Sequence, residues 1–396
     1  MVKKNIYIVD KLVIGYNHII FNSSVTSIIA NVYKHDTVTF VAEAVHSGVV
    51  AEKNQLIANL EYRTFAENPI PLNITSKIIP YFKKKSSDLF FIKRLFATAF
   101  NKETKAVFFT CLSTTMLLYS TYKARKAKIP FFFFLHGEIE YIFMNNPGVV
   151  KRLKGEVYKH LLRRLGPTSK VIVLSDIVKS SLISAGYLSE DKIITIEHPI
   201  IPVNIIEKKL SDKKTIFGHI GVALTKKSSE LFFNLPQSHK KSIENGTAVF
   251  QLIGKVDYGL ELSAGNGIEI LSENNQSITQ ERYEQAIANI DYAIFTFTGD
   301  NYVYRTSGSV MDAIAFAKPI IALKHDFFTY LFETSGNIGF LCNNLDELNM
   351  LINNIVEKEE SLINQYETQQ ENLKKLRKTL SLEDIKIKLS NSISKN

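Results

Sequence analysis

Eleven short strand-like runs punctuate the chain, several of them continuously apolar, and amphipathic stretches separate most of them. The first half holds Asn5 to Val9, Thr37 to Val41, Ala106 to Thr110, Pro130 to Leu135, Lys170 to Leu174 and Ile193 to Ile196. The second holds Thr215 to Ile220, Ala248 to Ile253, Ile268 to Leu271, Tyr292 to Phe297 and Pro319 to Leu323. A strand that is apolar on both faces must be covered on both, so strands of this kind separated by helices predict a parallel sheet between helical layers. Helical periodicity runs through Asp88 to Phe100, Thr114 to Lys126, Val149 to Leu165 and Asp176 to Ala185, then through Ser229 to Leu235, Glu281 to Asn289, Ser309 to Ala317 and Leu345 to Ile355.

A chain of 396 residues is too long for one compact core. The rhythm breaks at EHPIIPVNIIEKKLSDKK, Glu197 to Lys214, where two prolines and a charged run interrupt it. The expected organisation is therefore α/β, with two Rossmann-like doubly wound parallel-sheet domains over residues 1–200 and 201–375, and a charged helical tail, residues 376–396, on the surface. Ligands of such sheets bind beyond the carboxyl ends of the strands, here in a central cleft faced by both domains.

No apolar run approaches the roughly 20 residues that cross a bilayer, and the N-terminus reaches Asp10 before building a signal-peptide core. Cytoplasmic location is the expectation, at the inner face of the cell membrane in particular. The two cysteines, Cys111 and Cys342, sit in apolar surroundings and suit reduced packing thiols. The net charge of +9 is uneven, because residues 1–200 hold 27 Lys and Arg against 15 Asp and Glu. Its clusters lie at Lys83 to Lys85, Lys93-Arg94, KARKAK from Lys123, KRLK from Lys151 and Arg163-Arg164, several beside Phe and Leu. These are solvated helix faces or a surface for peripheral contact with an anionic membrane. No recognition motif for nucleic acid accompanies them.

One loop invites a ligand. In YVYRTSGSVMDAIAFAKPIIAL, Tyr302 to Leu323, a stretch of small residues follows a strand and opens directly onto a helical pattern. Unpaired amides at a helix N-terminus attract anions, and Ser307, Gly308 and Ser309 place such amides at the carboxyl edge of the sheet. Arg305 offers a fork-shaped partner for phosphate oxygens. The alternative is structural, because Ser309 and Asp312 also stand at capping-box spacing.

With these residues in place, the second half resembles the donor-binding domain of GT-B glycosyltransferases, family 4 in particular. HIGVALTKKSSELFF, from His219, is similar to the strand, Gly and diphosphate-binding Lys of that family, matched by Gly221 and Lys227. LIGK, from Leu252, supplies Gly254; ERYEQAIANIDYAIF, from Glu281, matches the helix and strand that follow. The loop from Tyr302 falls on the E-x7-E region, with Asp312 at the second Glu, and AFAKPIIA resembles A-x-G-x-P-V-I-A. VIVLSDIVKSSLISAGYLSEDKIITIEHPI, from Val171, resembles the end of the acceptor domain, and His136-Gly137 sits where such enzymes place a His at the sugar site. Three positions depart: Tyr304 replaces the first Glu, Val222 the usual Arg, and Ala317 the Gly before the Pro.

The resemblance implies transfer of a sugar from a UDP- or GDP-sugar to a glycan or lipid-linked acceptor of polysaccharide biosynthesis in a bacterium, with retention of configuration. The nucleotide sugar is a substrate and no cofactor is expected. The chain has no D-x-D pair to hold a metal at the diphosphate, so cationic side chains and helix amides are expected to stabilise the leaving group. Lys227 and Arg305 are the catalytic candidates on the donor side, and His136 and Glu138 at the reacting sugar. Gly15, Gly221, Gly254, Ser307, Gly308, Ser309 and Asp312 are the further donor-binding candidates, Gly15 within a turn that runs to His18. A non-catalytic GT-B partner subunit and a sugar-nucleotide epimerase of related fold remain as alternatives.

Overall fold

The structure, a computed structural model, describes residues 3–394 apart from 16–17, 66–77, 126–128, 145–147, 202, 205–208, 211–212, 258, 261–266, 277, 300–303 and 305, and without the side chains of 78–84 and 138. The chain forms two compact units, Met1–Pro199 with Leu382–Asn396, and Ile200–Ser381. Among the described residues no helix is long and apolar enough to cross a membrane.

The first unit carries a seven-stranded, wholly parallel sheet in the order β3-β2-β1-β4-β5-β6-β7. Its strands are β1 (Asn5–Asp10), β2 (Thr37–Glu43), β3 (Leu60–Phe65), β4 (Thr104–Cys111), β5 (Phe131–Phe134), β6 (Lys170–Val173) and β7 (Ile193–Thr195). The helices between them are α1 (Ile19–Val32), α2 (Ala44–Lys53), α3 (Ile78–Thr98), α4 (Thr114–Ala124), α5 (Glu140–Phe143), α6 (Val149–Leu162) and α7 (Asp176–Ser184). The run of phenylalanines explains itself in register. Phe108 stacks on Phe132 at 4.6 Å between ring centroids, and Phe109 on Phe133 at 5.5 Å. Alternate rings go to opposite faces, and both faces are buried.

The second unit has six parallel strands in the order β10-β9-β8-β11-β12-β13. They are β8 (Thr215–Ile220), β9 (Ala248–Ile253), β10 (Ile268–Ile270), β11 (Tyr292–Phe295), β12 (Ile320–Leu323) and β13 (Gly339–Cys342). Helices α8 (Ser229–Ser238), α9 (Lys240–Glu244), α10 (Gln280–Asn289), α11 (Gly308–Ala315), α12 (Asp326–Ser335), α13 (Leu345–Val356) and α14 (Glu360–Thr379) complete it. In each sheet the strand order reverses once, beside β1 and beside β8. Segments leaving those strands therefore line the crevice at the carboxyl edge.

The tail differs from expectation. Residues 376–396 do not form one surface helix, because the chain turns at Leu380 and Ser381 and is shared between the two units. Helix α14 buries Tyr366 and Leu373 in the second unit. Helix α15 (Leu382–Ser394) returns to the first unit and buries Ile385 and Leu389 in the core that holds Val25 and Ile29 of α1.

Helix α11 ends in a left-handed residue. Ala317 has φ +50°, the Ala317 amide donates to the Ile314 carbonyl and the Lys318 amide to the Ala313 carbonyl. That double bond is a Schellman cap, whose left-handed position favours glycine. An alanine there bears roughly 1–2 kcal/mol of steric cost, against about 0.8 kcal/mol gained by burying its methyl. We expect Ala317→Gly to be at least as stable as the parent chain, whereas Ala313→Gly, inside the same helix, should lose about 1 kcal/mol or more. Urea denaturation of the two variants checks the contrast.

Candidate functional site

In the second unit the site grows from the end of β8. Gly221 follows the strand with φ +83°, and its amide donates to the Ile253 carbonyl at 2.8 Å. This brings the end of β8 against Gly254, after β9, where an added Cβ would lie 2.2 Å from the Gly221 carbonyl oxygen. At Gly221 itself a Cβ would meet Ser309 Oγ at 2.6 Å, with Lys227 Nζ at 3.8 Å. Two backbones and a lysine thus converge where no side chain fits.

Lys227 closes a single 3-10 turn, Thr225–Lys227, and is buried. Its ammonium donates to Ser309 Oγ at 3.1 Å. The following residue, Ser228, is left-handed at φ +51° and opens α8. Thr296 Oγ1 donates to the Ser228 carbonyl at 2.8 Å, and the Ser228 and Thr298 hydroxyls lie 2.5 Å apart, so the end of β11 clamps the turn. Burial holds the Lys227 ammonium down at about 8, and the Asp312 charge opposes that fall. Beneath it, His219 Nε2 meets Ser229 Oγ at 2.9 Å; burial, then the Lys227 charge, push this imidazole down to about 3. His219 is therefore neutral at neutral pH.

Helix α11 begins at Gly308, with Ser307 as N-cap and no side-chain cap bond. The first amides to find intrahelical partners are those of Val310 and Met311, both on the Ser307 carbonyl. The amides of Gly308 and Ser309 precede them in the turn. The capping-box alternative fails, because Ser309 lies inside the helix and its Oγ accepts a hydrogen bond from Lys227 Nζ, while Asp312 Oδ2 accepts from Tyr283 Oη at 2.6 Å. Burial raises the Asp312 carboxyl to about 6, against the Tyr283 bond and the Lys227 charge that lower it. Gly308 has no left-handed φ, and an added Cβ there would meet nothing within 4 Å. The chain itself does not require that glycine.

Lys227, Gly221, Gly254, Ser309 and Asp312 are thus gathered in one place, with Ser307 and Gly308 at the helix start beside them. Arg305 and the Glu138 side chain lie outside the described residues. Sequence reading missed Tyr283 and His219; a polar residue within an apolar strand marked His219, and nothing local marked Tyr283.

In the first unit Gly15, left-handed at φ +59°, belongs to the turn after β1; Tyr16 and Asn17 of that turn lie outside the described residues. Glu43 Oε2 accepts from the Gly15 amide at 3.2 Å, and His46 Nδ1 lies 2.8 Å from the Gly15 carbonyl. A carbonyl only accepts, so Nδ1 carries the proton, and Nε2 accepts from Asn22 Nδ2 at 2.8 Å. Asn22 also donates to buried Asp10, which takes a second bond from Thr110 Oγ1, each at 2.8 Å. Of this network the sequence reading named only Gly15. His136, after β5, packs edge-on against Phe21 at 4.3 Å and lies 6.2 Å from the His18 ring. His198, unforeseen, lies 5.2 Å from Phe21, and burial lowers it to about 4.

No protein-family model matches this sequence, and no curated protein matches it. Solved structures do resemble it. The sucrose-phosphate synthase of Thermosynechococcus elongatus superposes with a TM-score of 0.67 over 98% of each chain, at 12% identity. A glycosyltransferase from Rickettsia africae ESF-5 gives 0.63 over 100% of this chain and 99% of its own, at 14% identity. The lipopolysaccharide outer core galactosyltransferase WaaB gives 0.61 over 99% of each chain, at 13% identity. The chain has their fold, two Rossmann-like parallel-sheet units of the GT-B class.

The raised Asp312 carboxyl makes stability depend on pH. The folded state binds this proton more tightly than the unfolded chain. Its contribution is full below the ordinary 3.8 and is lost as pH rises through about 6. We expect Asp312→Asn, which can still accept from Tyr283, to flatten the fall in stability across that window. Denaturant midpoints measured at several pH values report it.

Proposed function

We propose that this chain is a glycosyltransferase that takes a sugar from a UDP- or GDP-sugar and passes it to a glycan or lipid-linked acceptor. The observation that carries the proposal is the buried Lys227 ammonium, held 3.1 Å from Ser309 Oγ at the start of α11 and beside the bare backbone of Gly221. A diphosphate leaving group gathers negative charge as the glycosidic bond breaks. Lys227 supplies a cation already stripped of water, and the Gly308 and Ser309 amides supply aligned donors with the positive end of the helix dipole. Arg305 adds a second cation in this proposal, and Asp312 accepts ribose hydroxyls.

On the other side of the reaction, His136 and Glu138 are assigned to the reacting or acceptor sugar, and the Gly15 turn to the donor phosphates. The chain works in the cytoplasm and touches an anionic membrane through its basic first unit. Metal independence and retention of configuration belong to the same proposal, the first because the sequence offers no D-x-D pair. Two neighbours of the same fold are named for such donors: a trehalose-6-phosphate protein from E. coli bound with UDP-2-fluoro glucose and Arabidopsis thaliana UGT89C1 complexed with UDP-L-rhamnose.

A second reading is favoured by one observation. Val222, 41% exposed, stands where the resembled family has its diphosphate-binding Arg, and a GT-B subunit that had lost donor binding would tolerate it. Thermal shift separates the two. A nucleoside diphosphate at 100 times its dissociation constant stabilises a binder by about 2.7 kcal/mol, and a non-binding scaffold not at all.

Two results are expected of the enzyme. Lys227→Ala should reduce release of nucleoside diphosphate from the sugar nucleotide by at least about 100-fold, the scale of losing one preorganised charge at the transition state; unchanged turnover would remove Lys227 from the site. The lysine is charged below about 8, so affinity for a nucleoside diphosphate should fall as pH rises through that value. Near pH 8 binding should also take up a proton, seen by calorimetry as an enthalpy that varies with the buffer, and Lys227→Arg should abolish the uptake.

A further inference from the structure

The outer face of α6 is apolar and is left exposed among the described residues. Val149, Leu153 and Val157 recur on three successive turns and are 75%, 62% and 38% exposed, with Val150 at 64% beside them. The inner face explains why the helix cannot roll over to hide them. Gly155 presses against the Tyr141 backbone so closely that an added Cβ would lie 2.1 Å from its carbonyl oxygen, and Tyr158, Leu161 and Leu162 are buried. Arg152 and Lys154 flank the apolar row, one on each side. The only acid on the helix, Glu156, is already paired with Lys159 at 2.8 Å.

The neighbouring helices continue the surface. Helix α4 packs beside α6, and α3 beside α4. Helix α4 exposes Leu118 and Tyr122, one turn apart, and α3 exposes Phe90. These three helices hold seven of the fifteen exposed large apolar side chains among the described residues, so the apolar exposure is concentrated and not scattered. Exposed Lys93, Arg94 and Arg125 lie on or next to the same helices.

We propose that the α6 face, continued by α4, is an interfacial surface that docks on an anionic lipid bilayer, with the aliphatic row in the acyl boundary and Arg152 and Lys154 at the headgroups. An amphipathic helix with a cationic rim around an apolar row fits that interface. A second copy of the chain fits poorly, because a two-fold contact would set the same cations against each other. Nucleic acid fits poorly too, since the centre of the face is aliphatic and offers phosphates nothing. The inference deepens the membrane part of the proposed function and does not depend on the transferase part.

The test is cosedimentation of the full chain with vesicles of phosphatidylcholine alone and of phosphatidylcholine with about one third phosphatidylglycerol. Binding to the anionic vesicles, weakened by salt, is the expected result. Leu153→Glu should lower the partition coefficient by at least about tenfold, and Arg152→Ser with Lys154→Ser should weaken binding and reduce its salt dependence. Leu153 is exposed, so its variant should keep the parent circular dichroism and melting temperature. Release of nucleoside diphosphate with a water-soluble acceptor should also stay within about twofold of the parent, which separates loss of docking from failure of the transferase assignment. The proposal is overturned if the parent chain ignores anionic vesicles, if Leu153→Glu binds them equally well, or if sedimentation shows a parent dimer that Leu153→Glu converts to monomer.

Discussion

Everything at the second unit's site depends on keeping one ammonium group out of water. Lys227 is buried at the carboxyl edge of its sheet with a neutral hydroxyl, Ser309 Oγ, as its hydrogen-bond partner and the Asp312 charge in the neighbourhood. Desolvating an ammonium costs several kcal/mol, and one neutral hydrogen bond does not offset that. The counter-charge is itself divided, because Asp312 also accepts from Tyr283 and is pushed toward its neutral form by burial. The pair is under-neutralised, and a dianion arriving at the α11 N-terminus would supply what the lysine lacks. The two glycines have the same cause. Any side chain at Gly221 would strike Ser309 Oγ, and any at Gly254 would strike the Gly221 backbone.

The first unit solves a different problem, holding a turn in place without burying a net cation. Thr110, Asp10, Asn22, His46 and Glu43 form a continuous chain of hydrogen bonds that ends on both the amide and the carbonyl of Gly15. Each member has one role open to it. Asp10 only accepts, Asn22 Nδ2 has two protons for Asp10 and His46, and the remaining His46 proton goes to Gly15. A fully satisfied buried network specifies one geometry. Gly15 is thereby fixed in a left-handed conformation that glycine adopts without steric cost.

The central strands of both sheets were legible because they are buried on two faces and read as apolar runs. The strands that escaped, β3 and β13, are edges. In β3 no residue is fully buried, and the alternation of Leu60-Glu61-Tyr62-Arg63 breaks at Thr64, too short a run to stand out. Helices α1 and α2 escaped for the opposite reason. Asn22, Ser23, Ser24, Thr26, His46 and Ser47 are polar yet buried, and hydrophobic periodicity cannot register a buried helix face lined by polar side chains. Of the candidate site, the small-residue start of α11 was legible in its local chemistry, and Lys227 was legible only through the family resemblance. Tyr283 and the Asp10 to Glu43 chain were not, since their roles exist only once distant segments meet.

The departures from the resembled family shift where charge must come from. Val222 removes a cation from the turn after Gly221 and leaves an exposed aliphatic in its place. At the end of α11, Ala317 keeps the left-handed cap that a glycine would form more easily, so the helix and its dipole survive the substitution. For a diphosphate ligand the described part of the site then offers the Lys227 charge, partly offset by Asp312, and roughly half a charge from the helix terminus. That total falls short of a diphosphate's charge, so donor affinity should rest on Lys227 more heavily than in a site with two cations after the strand. On the proposed reading the balance falls to Arg305, the one cation in the segment that leads into α11.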